Sequence, residues 1–474
     1  MYEPSEEELR KAAEELNKFH EQQKKKEPSP PARPEKYNYL PGLDDHGRPF
    51  PVHDTSNGPE GRQVREYTEE ELREMQEKFV NLTGDRRAAP HRERSIAPDA
   101  AATPGTTGAA KRVTRDDRFV GSILAGAVGD ALGYTVEFES IDGIRRRYGG
   151  TGITDFDRRS GRGGEISDDT QMTLFTLEGL IRAHVRRRLA GSDDVLLAVQ
   201  HAYQRWLHTQ GNQWANAAGM FGGHAPAPDG WLISNQGLFA TRAPGNTCIT
   251  ALRAFARSGQ MGTFSHRLND SKGCGGVMRA APAALWSEDP AEVFQLGAAT
   301  AALTHSHPSG YLSAGTLAVI VHRLLAGADL RAAVDTARSL LVRWDGHEEQ
   351  TRALDTAVEL AATGRPTPEQ IAERLGGGWV GEEALAIGVC AALCTDNLAD
   401  ALIVAVNHSG DSDSTGAVCG NIVGAHYGPA AIPSSWLDTL ELREIIDTIA
   451  HDALREFGPQ PPSTPDWYRR YPGW

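Results

Sequence analysis

Residues 407–428 read NHSGDSDSTGAVCGNIVGAHYG. Two acids, Asp411 and Asp413, open a run in which Gly416, Ala417, Gly420 and Gly424 recur at helical spacing. A small-residue face lets another backbone come close, so the run predicts a helix packed at the centre of the fold. Asp and Ser at its start would satisfy free amides and complement the helix dipole. One cap needs only one acceptor, however, and this segment supplies two carboxylates together with several hydroxyls.

The same signature recurs at Ser167-Asp168-Asp169-Thr170, before the amphipathic run QMTLFTLEGLIRAHV. For either segment alone, simple capping explains the residues. Carboxylates at the start of a centrally packed helix would be partly enclosed, repel one another, and need protons or cations. Carboxylate and hydroxyl oxygens suit hard ions such as Mg²⁺ or Mn²⁺ rather than zinc. Two such ions would bring four positive charges to the four aspartates.

Around these segments, apolar residues recur at helical spacing and no period-2 alternation is sustained, so the body reads as all-α. Helices are predicted over 117–133, 168–189, 194–208, 246–258, 290–303, 310–326, 330–343, 351–362, 368–375, 382–394, 414–426 and 436–456. Asp289-Pro290 with Glu292, and Thr367-Pro368 with Gln370, give clear starts. Only 401–406, ALIVAV, could pass for a strand.

The chain of 474 residues is 39% hydrophobic and 24% charged, an ordinary globular composition. No long apolar run suits a membrane span, and the acidic start is unlike a signal peptide. Five cysteines without a C-x-x-C pair argue against a disulfide framework and point to a reducing cytoplasm. A net charge of −14 makes nucleic acid a poor partner. Residues 1–113 are rich in charge and proline and read as a largely disordered extension. Two helices are nevertheless signalled within it by capping boxes, at Ser5 with Glu8 and at Thr68 with Glu71. Residues 114–456 form the body. Residues 457–474, proline-rich and aromatic, are expected to lie extended on its surface.

Other motifs carry weaker signals. The segment GAVGDALGYTVEF ends in Glu137, which is either a surface acid or a carboxylate held in a pocket. The loop SKGCGGVMR offers exposed amides that could cradle a diphosphate. His305 and His307 end a predicted helix without zinc-site spacing. Cys274 and Cys419 read as small buried residues. The 411–416 run begins like a calcium-binding EF-hand loop, but Ile422 stands where its last glutamate is needed. It also matches the D-x-D-x-T nucleophile of haloacid-dehalogenase-type phosphatases, yet too little chain follows it for that domain.

Taken in order, GSILAGAVGDALGYTVEF, ISDDTQMTLFT, RAPGNT, SKGCGGVMRAAP, THSHPSGYLSAG and NHSGDSDSTGAVCGNIVGAHYG resemble the ADP-ribosylglycohydrolases. The resemblance runs from about residue 117 to about 456. It implies a compact multi-helix domain around two Mg²⁺ ions, with Mn²⁺ as the alternative. It also implies hydrolysis of the glycosidic bond at the ribose anomeric carbon, releasing ADP-ribose from a protein or small-molecule acceptor, with arginine slightly favoured. By motif, it implies Ser167, Asp168, Asp169, Asp411, Asp413 and Ser414 as metal ligands. Glu137, Asp168, Asp169 and Asp413 would carry catalysis, and Gly273, Gly275, Gly276 and His305 would bind the substrate. The adenine-stacking residue is not assigned, with Trp214, Phe221 and Trp231 as candidates. Some relatives resemble immunity proteins, so a second reading has the 1–113 arm plugging an ADP-ribosylating toxin.

Overall fold

The computed structural model of the chain describes residues 113–158 and 163–473. The two helices expected within 1–113 lie outside the described residues, as does the arm on which the toxin reading depends.

The fold is all-α. The only β feature among the described residues is a single bridge between Gly273 and Val380. At its centre lie two antiparallel helices, α1 (Arg115–Tyr134) and the helix Ser412–Tyr427. Glycines face one another along the whole seam. A Cβ on Gly424 would stand 2.1 Å from Gly121 O, one on Gly420 2.0 Å from Ala125 O, and one on Gly129 2.0 Å from Gly416 O. At the far end a Cβ on Gly133 would stand 2.1 Å from Ser412 O. Reciprocal hydrogen bonds set the register. Ser122 Oγ donates to Asn421 O at 2.8 Å, and Asn421 Nδ2 donates to Ser122 O at 2.9 Å. The antiparallel seam therefore delivers the C-terminal end of α1, with Glu137 just beyond it, to the N-terminus that carries Asp411 and Asp413.

The remaining helices surround this pair. They are α2 (Ile141–Tyr148), α3 (Asp168–Ala190), α4 (Val195–Thr209), α5 (Asn246–Ser258), α6 (Pro290–Ala302) and α7 (Pro308–Leu325). After them come α8 (Leu330–Leu341), α9 (Glu348–Ala362), α10 (Pro368–Arg374), α11 (Gly381–Leu393) and α12 (Leu398–Val406). The central helix Ser412–Tyr427 is then α13, and α14 is Arg443–Glu456. Two further close approaches follow the same rule. Gly297 of α6 meets Ala318 of α7, and Gly388 of α11 meets Val418 of α13.

Several expectations are corrected. The strand-like run 401–406 belongs to α12, capped by the Asn397 side chain. Its β-branched residues sit on a helix because one side packs against α13, a tertiary context that outweighs propensity. The helix expected over 436–456 is two pieces, Ser434–Leu437 and α14, separated where Leu442 takes a φ of +55°. The C-terminal segment is not simply extended. Pro465–Arg470 is helical, and Trp467 and Tyr471 are buried. Trp467 Nε1 donates to Glu456 Oε2 at 2.8 Å, and Tyr471 OH donates to Asp452 Oδ2 at 2.8 Å. These aromatics cover α14, the use that composition alone did not reveal.

The seam makes a testable demand. Gly420→Ala should cost about 2–3 kcal/mol despite the better helix propensity of alanine, because its methyl meets backbone rather than a side chain that can move. Gly150→Ala, with open space around its Cβ, should be nearly neutral. Urea denaturation of both variants gives the comparison, and equal stabilities would contradict the seam.

Candidate active site

The site is built from helix ends. Ser167 caps α3, its Oγ accepting from Asp169 N at 3.2 Å, which sets Asp168 and Asp169 in the first turn. Asp130, buried inside α1, braces this end. It accepts from Ser167 N at 3.0 Å and from Thr170 N at 3.0 Å, and it also accepts from the Thr170 hydroxyl. Asp411 caps α13, with Oδ1 accepting from Ser414 N at 3.3 Å. Asp413 Oδ1 accepts from the same amide at 2.9 Å.

These ends open on one cavity of about 320 Å³. Glu137, Asp168, Asp169, Asp411, Asp413 and Ser414 all line it, together with Gly273, Gly275 and His305. Two expected site residues do not. Ser167 is fully buried in its capping role. Gly276 sits behind the wall, where a Cβ would stand 2.8 Å from Ala301 Cβ and 2.8 Å from Gly310 O. Of the three proposed adenine partners, none lines the cavity. Trp214 and Phe221 are buried elsewhere, and Trp231 lies under the Arg470 guanidinium, 3.7 Å from its ring centre.

Aromatic residues from other segments take the rim. Phe138 and Trp379 are both largely exposed, line the cavity, and stack with ring centroids 5.2 Å apart. Phe138 has a φ of +67°, uncommon for a bulky residue. Cys274, read from sequence as buried packing, also lines the cavity and donates from Sγ to Asp411 Oδ2 at 2.8 Å. Asp130 and Arg279 were within quoted motifs but given no role. An acid in the middle of a small-faced helix is the signal that would have marked Asp130. Trp379 follows three glycines, Gly376, Gly377 and Gly378, and carries no motif signal of its own.

Arg279 organises the side formed by the 271–279 glycine loop. It is buried, donates to Gly275 O, and donates from Nη2 to Thr304 Oγ1 at 2.7 Å. The Thr304 hydroxyl is 2.8 Å from His305 Nδ1, and with Ala301 O as a second acceptor at 3.4 Å it can either donate to that nitrogen or accept from it. Burial, then the Arg279 charge, pushes the His305 pKa down to about 3, so the ring is neutral at ordinary pH. Gly273 and Gly275 leave room for it, since a Cβ on either would be 3.2 Å from Nε2.

The carboxylates are held against their preference. Burial first, and then the Asp413 carboxylate, raise Asp168, Asp169 and Asp411 well above the ordinary range. The same two causes raise Asp130 to about 7 and Glu137 to about 10. Oxygens of Glu137, Asp411 and Asp413 lie within 4.8 Å of one another. Glu137 Oε2 and Asp169 Oδ1 are buried without a hydrogen-bond partner. Among the described residues, no lysine or arginine lines the cavity. An all-oxygen, strongly anionic set with unpartnered buried oxygens fits hard divalent cations. A group that binds protons too tightly because of its neighbours binds a cation for the same reason.

Comparison with known proteins follows the geometry. A family model described as ADP-ribosylglycohydrolase matches residues 111–462. The ADP-ribosyl-(dinitrogen reductase) glycohydrolase of Rhodospirillum rubrum is 28% identical over 337 residues, covering 69% of this chain and 91% of that protein. The ADP-ribosylarginine hydrolase Tri1 of Serratia proteamaculans strain 568 is 26% identical over 341 residues, covering 70% and 78%. A solved structure named "ADP-ribosylglycohydrolase-related protein complex" shares the fold with a TM-score of 0.52 and 24% identity, over 73% of this chain and 99% of that one. No helix among the described residues is long and apolar enough to cross a membrane.

The crowding of acids predicts how the metal-free protein responds to pH. A carboxyl raised from 4.5 to about 10 keeps its proton in the folded chain but loses it in the unfolded one. Its cost to stability is absent below the unfolded value and grows as pH climbs through that window. In excess chelator, the thermal midpoint should therefore fall from pH 5 to pH 9, and Glu137→Gln should fall less steeply. Parallel slopes for the two proteins would rule out this role for Glu137.

Proposed function

We propose, from the premise that this chain belongs to the ADP-ribosylglycohydrolase family, that it removes ADP-ribose from ADP-ribosylated arginine by metal-dependent hydrolysis at the ribose anomeric carbon. One observation carries the reading. Five carboxylates and, among the described residues, no lysine or arginine line a cavity whose family substrate would be an anion. Such a cavity is workable for a diphosphate only with cations among the acids.

Asp168, Asp169, Asp411, Asp413 and the Ser414 hydroxyl would hold two Mg²⁺ or Mn²⁺ ions, with Ser167 contributing by fixing the first turn. When bound, the cations supply Lewis acidity and offset the charge of the acids beside the sugar. The chain's own groups do the rest. Gly273 and Gly275 line the cavity, and the neutral His305 ring beside them offers a donor to a phosphate oxygen in the tautomer that carries its hydrogen on Nε2. Gly276 lets the loop lie close against α6 and α7. Phe138 and Trp379 present planar faces for the adenine ring.

In the chemical step the C1′–N bond to the guanidinium breaks, its electron pair leaving on the nitrogen as a neutral guanidine, and a C1′–O bond to water forms. The water proton passes to an aspartate oxygen, with Asp168, Asp169 and Asp413 as the candidates, and from there to the guanidine, which departs as guanidinium. Glu137 lies within reach of Asp411 and Asp413. Its place at the rim suits it to gate the sugar and to move a proton between solvent and the cluster. Arginine as acceptor is supported by the name of the Tri1 relative.

Two measurements test the assignment. Alanine at Asp168 or Asp413 should lower turnover of ADP-ribosylarginine by about a hundredfold or more, with an unchanged circular dichroism spectrum. Chelation should do the same, with Mg²⁺ or Mn²⁺ restoring activity. Wild-type turnover in either variant would reject the site. Comparing arginine-, serine- and base-linked substrates decides the acceptor. Separately, Trp379→Ala should raise KM by about tenfold or more, as expected for loss of a base-stacking ring, with a smaller change in kcat. An unchanged KM would remove Trp379 from the substrate contacts.

A further inference from the structure

Between the diphosphate loop and Asp411 stands a short segment, Gly376-Gly377-Gly378-Trp379-Val380. Gly376 and Gly378 have φ of +91° and +83°, backbone conformations that suit glycine. The turn they make aims the amides of Gly377 and Gly378 at one acceptor. Both donate to Glu383 Oε2, each at 3.1 Å. A Cβ on Gly376 would stand 2.3 Å from the Glu383 carboxyl carbon. The bare glycines thus admit a carboxylate from the first turn of α11 into a small nest of amides.

From this anchor, bonds run to Asp411 and to the glycine loop. Gly377 O accepts from Asp411 N at 2.8 Å. Trp379 O accepts from Cys274 N at 3.2 Å, and Lys272 O accepts from Gly381 N at 2.8 Å. These last two stitch the segment to the glycine loop. The Trp379 ring stacks on Phe138, the neighbour of Glu137. Lys272 is held in turn, its Nζ 2.8 Å from Glu349 Oε1. Glu383 itself does not line the cavity.

We propose that Glu383 is a positioning residue. Its carboxylate fixes the 376–380 segment, and through it the mutual placement of Asp411, the Gly273–Gly275 loop and the Trp379 ring. The loss of this one acceptor would free two amides at once and slacken three separate walls of the cavity. A residue that only capped α11 would affect stability and leave the binding constants of the folded protein alone. The inference rests on the proposed metal and substrate reading, and the test keeps the two apart.

The test uses the full chain well below its thermal midpoint. Mn²⁺ affinity is read from the electron paramagnetic resonance signal of free Mn²⁺, and ADP-ribose affinity from calorimetry. Glu383→Leu, which keeps bulk and removes the acceptor, should weaken both by about tenfold or more. Glu383→Gln, whose amide oxygen can accept both bonds, should stay within about threefold of wild type. Wild-type affinities in the leucine variant, or equal losses in both variants, would overturn the proposal. If the leucine variant does not fold, Glu383→Asp withdraws the carboxylate by one methylene. The same losses are then expected, and wild-type affinities would again overturn it. A wild-type chain that bound no Mn²⁺ would sink the metal reading instead, and ADP-ribose affinity would then decide the role of Glu383 alone.

Discussion

Everything in the body is arranged around the backbone contact between α1 and α13. Side chains of ordinary size would hold two helices about 8–10 Å apart. Here the facing positions are Gly121, Gly129 and Gly133 on one helix and Gly416, Gly420 and Gly424 on the other, so each helix lies against the other's carbonyls. The gain is close dispersion contact along the whole seam, with weak Cα–H···O contacts at the crossing points. The cost is that almost no variation is tolerated. Because the helices are antiparallel, the seam also decides the chemistry. It sets Glu137, which follows the end of α1, beside Asp411 and Asp413 at the start of α13. A parallel pair would have separated them by the length of a helix.

Asp130 joins this pair to the third acidic segment. Its carboxylate, in the same small-faced helix, accepts from Ser167 N and Thr170 N and so ties the start of α3 to α1. The site is thus assembled by helix termini converging on one point, with no β scaffold among the described residues. The N-termini of α3 and α13 bring unsatisfied amides and a favourable dipole, which is why their acids can be held there at all. The termini do not fully compensate, as the raised values of Asp168, Asp169, Asp411 and Glu137 record. That residual misfit is what a bound cation would relieve.

Most of this was legible in residues 407–428 and 166–176. Small residues at helical spacing announced a buried helix, and doubled acids at two helix starts announced more than capping. The elements that escaped notice are those decided by packing. ALIVAV looks β-prone in isolation but is held in α12 by its neighbours. Leu442 breaks a continuous helical pattern without a proline or glycine to mark it. Trp467 and Tyr471 look like a free aromatic tail, yet their polar atoms find Glu456 and Asp452. In the site, the carboxylates were found because charge in a helix start is conspicuous. Trp379 and Glu383 were missed because their importance lies in backbone bonds between segments distant in sequence. Ser167 and Gly276 show the converse, since a residue can belong to the motif and serve the site from behind its wall.

The composition of the cavity carries one more consequence. An acidic chain that binds an anion usually gathers lysines and arginines at the site, and here, among the described residues, none lines the cavity. Arg279 is close, but it is fully committed to Tyr203, Gly275 and Thr304. What it lends the site is geometry, by holding the Thr304 hydroxyl that bonds to His305 Nδ1. His305 stays neutral, so the donors on that wall are neutral too. Under the proposed function, attraction for a diphosphate would come chiefly from cations held by the acids. Under that reading, substrate and cation occupancy are thermodynamically linked, each raising the affinity for the other by the same factor. A site built with its own fixed positive charge would have no such coupling, and would bind anions of many kinds whether or not the reactive centre was complete.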